Sequence, residues 1–291
     1  MTISADTCSR RTFLAAAAGS LALRAQSGKH IPVGVMLYGV RADLEKDLPA
    51  TIRAVAKLGF EGVEFFGPYF YWTPAYAKEV RSVLDDAGIR CFATHNESPA
   101  FTPDGFTRAI ELNQILGAES IIAVRGLVSG TGNSAYKGFE GAGLDGWKRL
   151  ADRLGQACDR VRPLKMTCAY HHHAVEFLPV EGARPIDILA GVKGLLFELD
   201  TGLVGQGEKG SIDFLERHPG RVPYLLLSDW PKTAQGNQPL LGEGKEPWKQ
   251  TLAAAERAGD VHFYLIQQET SDLPPMQALQ KDLESFRKLH G

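Results

Sequence analysis

Three consecutive histidines, His171, His172 and His173, close an apolar run in CAYHHHAVEF, residues 168–177. Imidazoles at this spacing can hold a metal, move protons, or serve as plain polarity. Side chains alternate along an extended chain, so His171 and His173 share one face and His172 points to the other. The same alternation pairs Glu198 with Asp200 in FELDTG and Gln267 with Glu269 in LIQQET. Imidazole and carboxylate converging on one place are what a divalent metal or an acid/base pair requires. Histidine suits the second role because its unperturbed pKa, about 6.5, lets it give and take a proton near neutrality. A blander reading stands beside this one. A lone histidine at a strand end is commonly hydrogen-bonded structure, and an aspartate before Thr-Gly can simply start a turn. Burying three adjacent imidazoles without a use is costly, which favours a function for part of the triplet.

Such residues act only if the chain positions them. After His30, short apolar runs alternate with amphipathic segments. IPVGVMLY, FEGVEFF, IRCFATH, ESIIAV, KMTCAYH, GLLFELD, VPYLLLS and HFYLIQQ read as strands. Segments such as LEKDLPATIRAVAKLG, AYAKEVRSVLDDAG and GWKRLADRLGQACDRV have apolar residues at helical spacing. Gly59, Gly88, Gly117 and Gly259 stand where left-handed helix ends are expected. Eight strand–helix units in one block predict an α/β fold, a single (β/α)8 TIM barrel spanning residues 30–291. LYGVRADLEKDL lacks the spaced glycines of a dinucleotide fold. In a barrel, function gathers at the C-terminal strand ends. There the chain places Tyr38, Glu64, His95, Arg125, His171 with His173, Asp200, Ser228, and Gln267 with Glu269. PYFYWTPAY, after the second strand, adds Tyr69, Phe70, Tyr71, Trp72 and Tyr76. These aromatics can face a carbohydrate-like ligand or pack on the next helix or another subunit.

Composition narrows the field. The 291 residues are 44% hydrophobic and 23% charged, with a net charge of −2. No basic patch suggests nucleic acid. Residues 1–25 stand apart: CSRRTFLAAAAGSLALRA carries Arg10 and Arg11, then an apolar run too short for a permanent membrane span. It resembles a twin-arginine-type export signal, which implies a periplasmic or otherwise exported protein. Ala25 offers a cleavage point, weakened by Leu23 two residues before it. Cys91, Cys158 and Cys168 follow Cys8 at no zinc-like spacing and form no disulfide framework.

YHHHAVEF, FELDTG, HPGRVPYLLLSDW, LLGEGKEPWKQ and FYLIQQET, in this order, resemble the sugar phosphate isomerase/epimerase family with the xylose-isomerase-like barrel. TRAIELNQILGAESIIAV resembles the same family's third helix and fourth strand. The resemblance implies a divalent metal, manganese, zinc or magnesium, and proton transfer beside a sugar carbonyl. It places His171 and Asp200 at the ligand positions of strands five and six. His173 and Glu176 follow in the same motif. It also exposes two departures: Leu226 stands at the usual histidine of strand seven, and Gln267 at the usual glutamate of strand eight. Leucine cannot bind a metal, and an amide oxygen is a weaker donor than a carboxylate. The expectation is therefore a degenerate metal site of His171, Asp200 and Gln267, with no metal or a weakly bound one.

The function expected is a sugar or polyol isomerase/epimerase, or a lyase, with His95, His171, His173 and Asp200 catalytic. Tyr38, Glu64, Trp72, Arg125, Glu176 and Trp230 are the substrate-binding candidates. The alternative is a carbohydrate-binding protein of the same fold without catalysis. Homo-oligomerisation is left open.

Overall fold

The computed structural model describes residues 30–124, 143–204 and 210–291. Each apolar run forms a short strand: β1 Val33–Met36, β2 Gly62–Phe65, β3 Arg90–Asn96, β4 Ser120–Val124, β5 Thr167–His171, β6 Leu195–Asp200, β7 Tyr224–Leu227 and β8 Phe263–Ile266. They pair in chain order, all parallel, and β8 returns to β1 to close the barrel. Residues Pro32–Gly291 make one compact unit. No described helix is long and apolar enough to cross a membrane. The expected export signal and Arg125 lie outside the described residues.

The helices wrap the sheet: α1 Arg41–Lys46, α2 Leu48–Leu58, α3 Pro74–Ala87, α4 Pro103–Leu116, α5 Gly143–Val161, α6 Pro185–Ala190, α7 Gly210–Arg217, α8 Trp248–Ala254 and α9 Pro275–His290. Their buried faces follow helical spacing, as with Ala77, Val80 and Leu84 on α3 and Ala109, Leu112 and Leu116 on α4. Gly59, Gly88 and Gly117 close α2, α3 and α4 in the left-handed conformation, as expected. Gly259 does not. After α8 the chain widens into a π-helical turn, Ala255–Gly259, and Asp260 takes the left-handed position with φ 56°. The helix expected across residues 44–59 is divided as well. Asp47 is extended, its carboxylate accepts the Ala50 N–H at 2.9 Å, and Pro49 favours a new first turn.

Inside the barrel, Met36, Ile122, Ala169, Leu226 and Leu265 pack an apolar centre. Phe92 fills the space beside it. A β-carbon at Gly62 would stand 2.1 Å from the Phe92 ring, and one at Gly34 2.8 Å from it. These two glycines are needed for close approach. Phe92 is also the extra residue of a bulge: Val63 pairs with Cys91, but Glu64 pairs with Ala93. Beyond the bulge, Thr94 and Asn96 bond to Tyr69 on the helix side, while His95 meets Glu64 and Glu198 within the barrel.

Candidate active site

Four ionisable side chains meet where β2, β3, β5 and β6 end. His95 Nε2 lies 2.6 Å from Glu198 Oε2 and 3.2 Å from Glu64 Oε2. His171 Nδ1 lies 2.9 Å from the same Glu198 oxygen. The two imidazoles are 4.8 Å apart between ring centres. Both carboxylates are fully buried, and the imidazoles nearly so. The two imidazoles line a cleft of about 300 Å³, with the two carboxylates buried behind them. Tyr38, His173, Gln267 and Glu269 line its walls with His95 and His171.

Burial and mutual charge set the protonation of this group. Burial, then the charge of Glu198, raises the Glu64 pKa to about 8. Burial alone would lower His95, but Glu64 and Glu198 outweigh it and raise the imidazole to about 10. Burial would raise Glu198, yet His95 and His171 prevail and hold it well below the carboxylate range. These effects together push charge onto His95 and Glu198 and away from Glu64.

The same residues fit a divalent cation. One donor atom from each of His95, His171 and Glu198 lies within 4.8 Å of the others. Several lone pairs here lack an aligned donor: both Glu64 oxygens, Glu198 Oε1, and His171 Nδ1, which is close to Glu198 without hydrogen-bond alignment. Mixed imidazole and carboxylate donors suit first-row divalent metals.

The sequence candidates divide. Tyr38 lines the cleft, edge-on to Phe66, with the Arg41 guanidinium 4.4 Å from its ring centre. His173 lines it too, 5.1 Å from His171 between ring centres. His172 faces away: its Nε2 accepts the Asp200 N–H at 3.1 Å, and burial lowers its pKa to about 3. Asp200 and Gln267 hydrogen-bond to each other, and Asp200 also feels the charge of His171. The Gln267 amide donates to Asp200 Oδ2 at 3.1 Å and reaches Glu269 at 3.2 Å. Asp200 Oδ1 accepts from Ser228 and the Gly202 N–H, and burial lifts this carboxyl to about 6. Leu226, level with Asp200, belongs to the apolar core.

Other candidates are bound into the scaffold. Glu176 accepts from the Tyr170 hydroxyl and the His173 N–H, both at 2.8 Å. Trp72 packs edge-on against Phe65, Tyr69 and Tyr76. The Trp230 indole donates to Glu246 at 2.8 Å. It lies in the loop after β7, which Asp229 organises: this carboxylate accepts the N–H groups of Trp230, Gly242, Gly244 and Glu246 and the Trp248 indole.

Glu198 is the residue that the sequence candidates omit. Its signal is alternation with Asp200 on one strand, but its meaning comes from His95 and His171 on two other strands.

The family profile for the xylose isomerase-like TIM barrel matches residues 52–289. No protein of curated function matches the sequence at a significant level. Among solved structures, a sugar phosphate isomerase/epimerase from Parabacteroides distasonis is 17% identical, with TM-score 0.70, over 90% of this chain and 96% of its own. A D-psicose 3-epimerase crystallised in the presence of D-fructose is 13% identical, with TM-score 0.60, over 89% and 97%. A xylose isomerase-like protein from Mycobacterium smegmatis, in complex with magnesium, is 13% identical, with TM-score 0.64, over 89% and 96%. At these identities the likeness is one of fold.

Proposed function

We propose, from the premise that this chain belongs to the xylose isomerase-like TIM barrel family, that it is an isomerase or epimerase of a sugar or polyol-derived carbonyl compound. The observation that carries this reading is the pair of imidazoles sharing Glu198 at the floor of the cleft. Moving a proton beside a carbonyl needs a base for the C–H and a donor for the oxygen. His171, with Nδ1 2.9 Å from Glu198, leaves Nε2 to take the proton, and the carboxylate beside it would stabilise the imidazolium that forms. His95 is held as imidazolium; Nε2 faces the carboxylates and Nδ1–H remains to meet the developing oxyanion. The C–H electron pair then moves into the carbon–carbon bond of an enediol while the carbonyl oxygen gains a proton.

Return of a proton to the neighbouring carbon gives isomerisation. Its return to the opposite face of the same carbon gives epimerisation, for which His173 and Glu269 stand on the cleft walls. Binding of a divalent ion by His95, His171 and Glu198, with Glu64 beside them, would displace the His95 proton; the ion would then supply the Lewis acid for the carbonyl oxygen in place of the imidazolium, and His173 or Glu269 on the cleft wall would serve as the base. Asp200, through Ser228 and Gln267, fixes the neighbouring rim.

The test is proton NMR in D2O with a panel of aldoses and ketoses, with and without added manganese. The expected result is deuterium entering the carbon next to the carbonyl. Glu198→Gln should slow it by at least about a hundredfold, the scale of a general-base contribution. Absence of both exchange and conversion across the panel overturns the proposal and leaves a protein that only binds.

A further inference from the structure

We propose that the active-site cleft continues outward into a second sugar subsite, and that the substrate is a glycoside of two pyranose-sized rings. This rests on the sugar reading above and names the substrate class. The inner cleft, about 300 Å³, stands at the small end of ligand pockets, roughly 300–1,000 Å³. A groove of about 400 Å³ adjoins it, and Gly67, Pro68 and Glu97 line both. The two spaces adjoin across these three residues.

The outer groove has an aromatic wall, Phe70 and Tyr71, with ring centres 5.3 Å apart in an edge-on pair. Tyr71 is 70% exposed, unusual for a large ring. Its exposure is imposed by a fixed turn. Arg108 donates to the Phe70 carbonyl at 2.8 Å and the Trp72 carbonyl at 2.6 Å. On either side of half-buried Phe70 and exposed Tyr71, Tyr69 is buried in a polar network with Thr94, Asn96 and Asn113, and Trp72 is wedged among aromatic rings. The turn thus holds one aromatic face toward solvent at the mouth of the cleft.

Glu97 identifies the occupant. An aromatic face and a carboxylate lining one groove match a pyranose, with its apolar C–H face and its ring of hydroxyl donors. A purely apolar group would leave Glu97 unused, and a phosphate would be repelled by it. Gly67 keeps the passage open: a β-carbon there would stand 3.8 Å from Glu97 Oε1, so a longer side chain would enter the junction.

Titration calorimetry on the full chain tests this. The probes are D-glucose, D-galactose, D-mannose and D-fructose against cellobiose, maltose, lactose and sucrose. We expect at least one disaccharide to bind about tenfold or more tightly than its component monosaccharides. Tyr71→Ala, at an exposed position, and Gly67→Val, at the junction, should each bring that ratio toward one. Monosaccharides binding as tightly as every disaccharide, or a ratio that neither variant moves, overturns the outer subsite and leaves the inner sugar site standing. No binding by any sugar removes both readings together.

Discussion

Replacing Asp229 tests how firmly the loop after β7 is built. Its carboxylate is 2% exposed and accepts five N–H groups. Oδ1 takes those of Trp230 and Glu246, at 2.8 and 3.1 Å. Oδ2 takes those of Gly242 and Gly244 and the Trp248 indole, at 2.9, 3.1 and 2.9 Å. Hydrogen bonds to a charged acceptor contribute about 1.5–3 kcal/mol each, but five would exceed what one loop can lose before it detaches and hydrates. Removing one partner of a buried charged set costs about 3–5 kcal/mol, a large part of a typical stability of about 5–15 kcal/mol. Asp229→Ala should lose that amount in urea unfolding, followed by the fluorescence of Trp230 and Trp248. Asp229→Asn should lose nearly as much, because its amide nitrogen must face two or three N–H donors whichever way it is turned. Asparagine within about 1 kcal/mol of wild type would refute the assignment of the carboxylate as the centre of the loop.

Gly244→Ala should be destabilising in the same assay, since its β-carbon would stand 2.1 Å from Asp229 Oδ1 and 2.5 Å from the Trp230 carbonyl. Burial raises the Asp282 carboxyl to about 7; among the described residues Leu241 N–H is its one amide donor and Oδ2 has no hydrogen bond. A folded-state pKa above the unfolded value means stability is fullest below about pH 4 and declines as pH rises through about 7. Asp282→Asn should flatten the loss of stability between pH 5 and pH 8 by about 2–4 kcal/mol; an unchanged slope counts against this. Tyr69→Phe removes the hydroxyl shared by Thr94, Asn96 and Asn113 and should cost about 2–4 kcal/mol in thermal unfolding. After incubation with manganese and desalting, plasma mass spectrometry should find near one equivalent of metal, reduced in Glu198→Gln.

Much of this architecture was legible in the sequence because it is local. Apolar runs, helical spacing and left-handed glycines each depend on a few neighbouring residues. The exceptions are local competitions that periodicity does not register, such as Asp47 and Pro49 restarting a helix. The site was half legible. Strand alternation separates His171 and His173 from His172, and the structure keeps that separation. It cannot say that Glu198 would lie beneath His95, 103 residues earlier, because the barrel alone brings them together. The aromatic loop shows the same limit: composition groups Tyr71 with Trp72, whereas packing half-buries Trp72 among other rings and leaves Tyr71 open.

The bulge at Phe92 makes the chemistry of the mouth a matter of parity. Beyond it, odd-numbered residues of β3 face the site and even-numbered ones face the helices. Deleting Thr94, just beyond the bulge and with the bulge kept, would leave strand composition almost unchanged yet exchange the roles of His95 and Asn96. The floor would then offer an amide in place of an imidazolium, and Tyr69 would meet a histidine behind the sheet. In this barrel the identity of an acid/base group depends on a count of residues, so an insertion or deletion in β3 would alter the reaction where many substitutions would only weaken the fold.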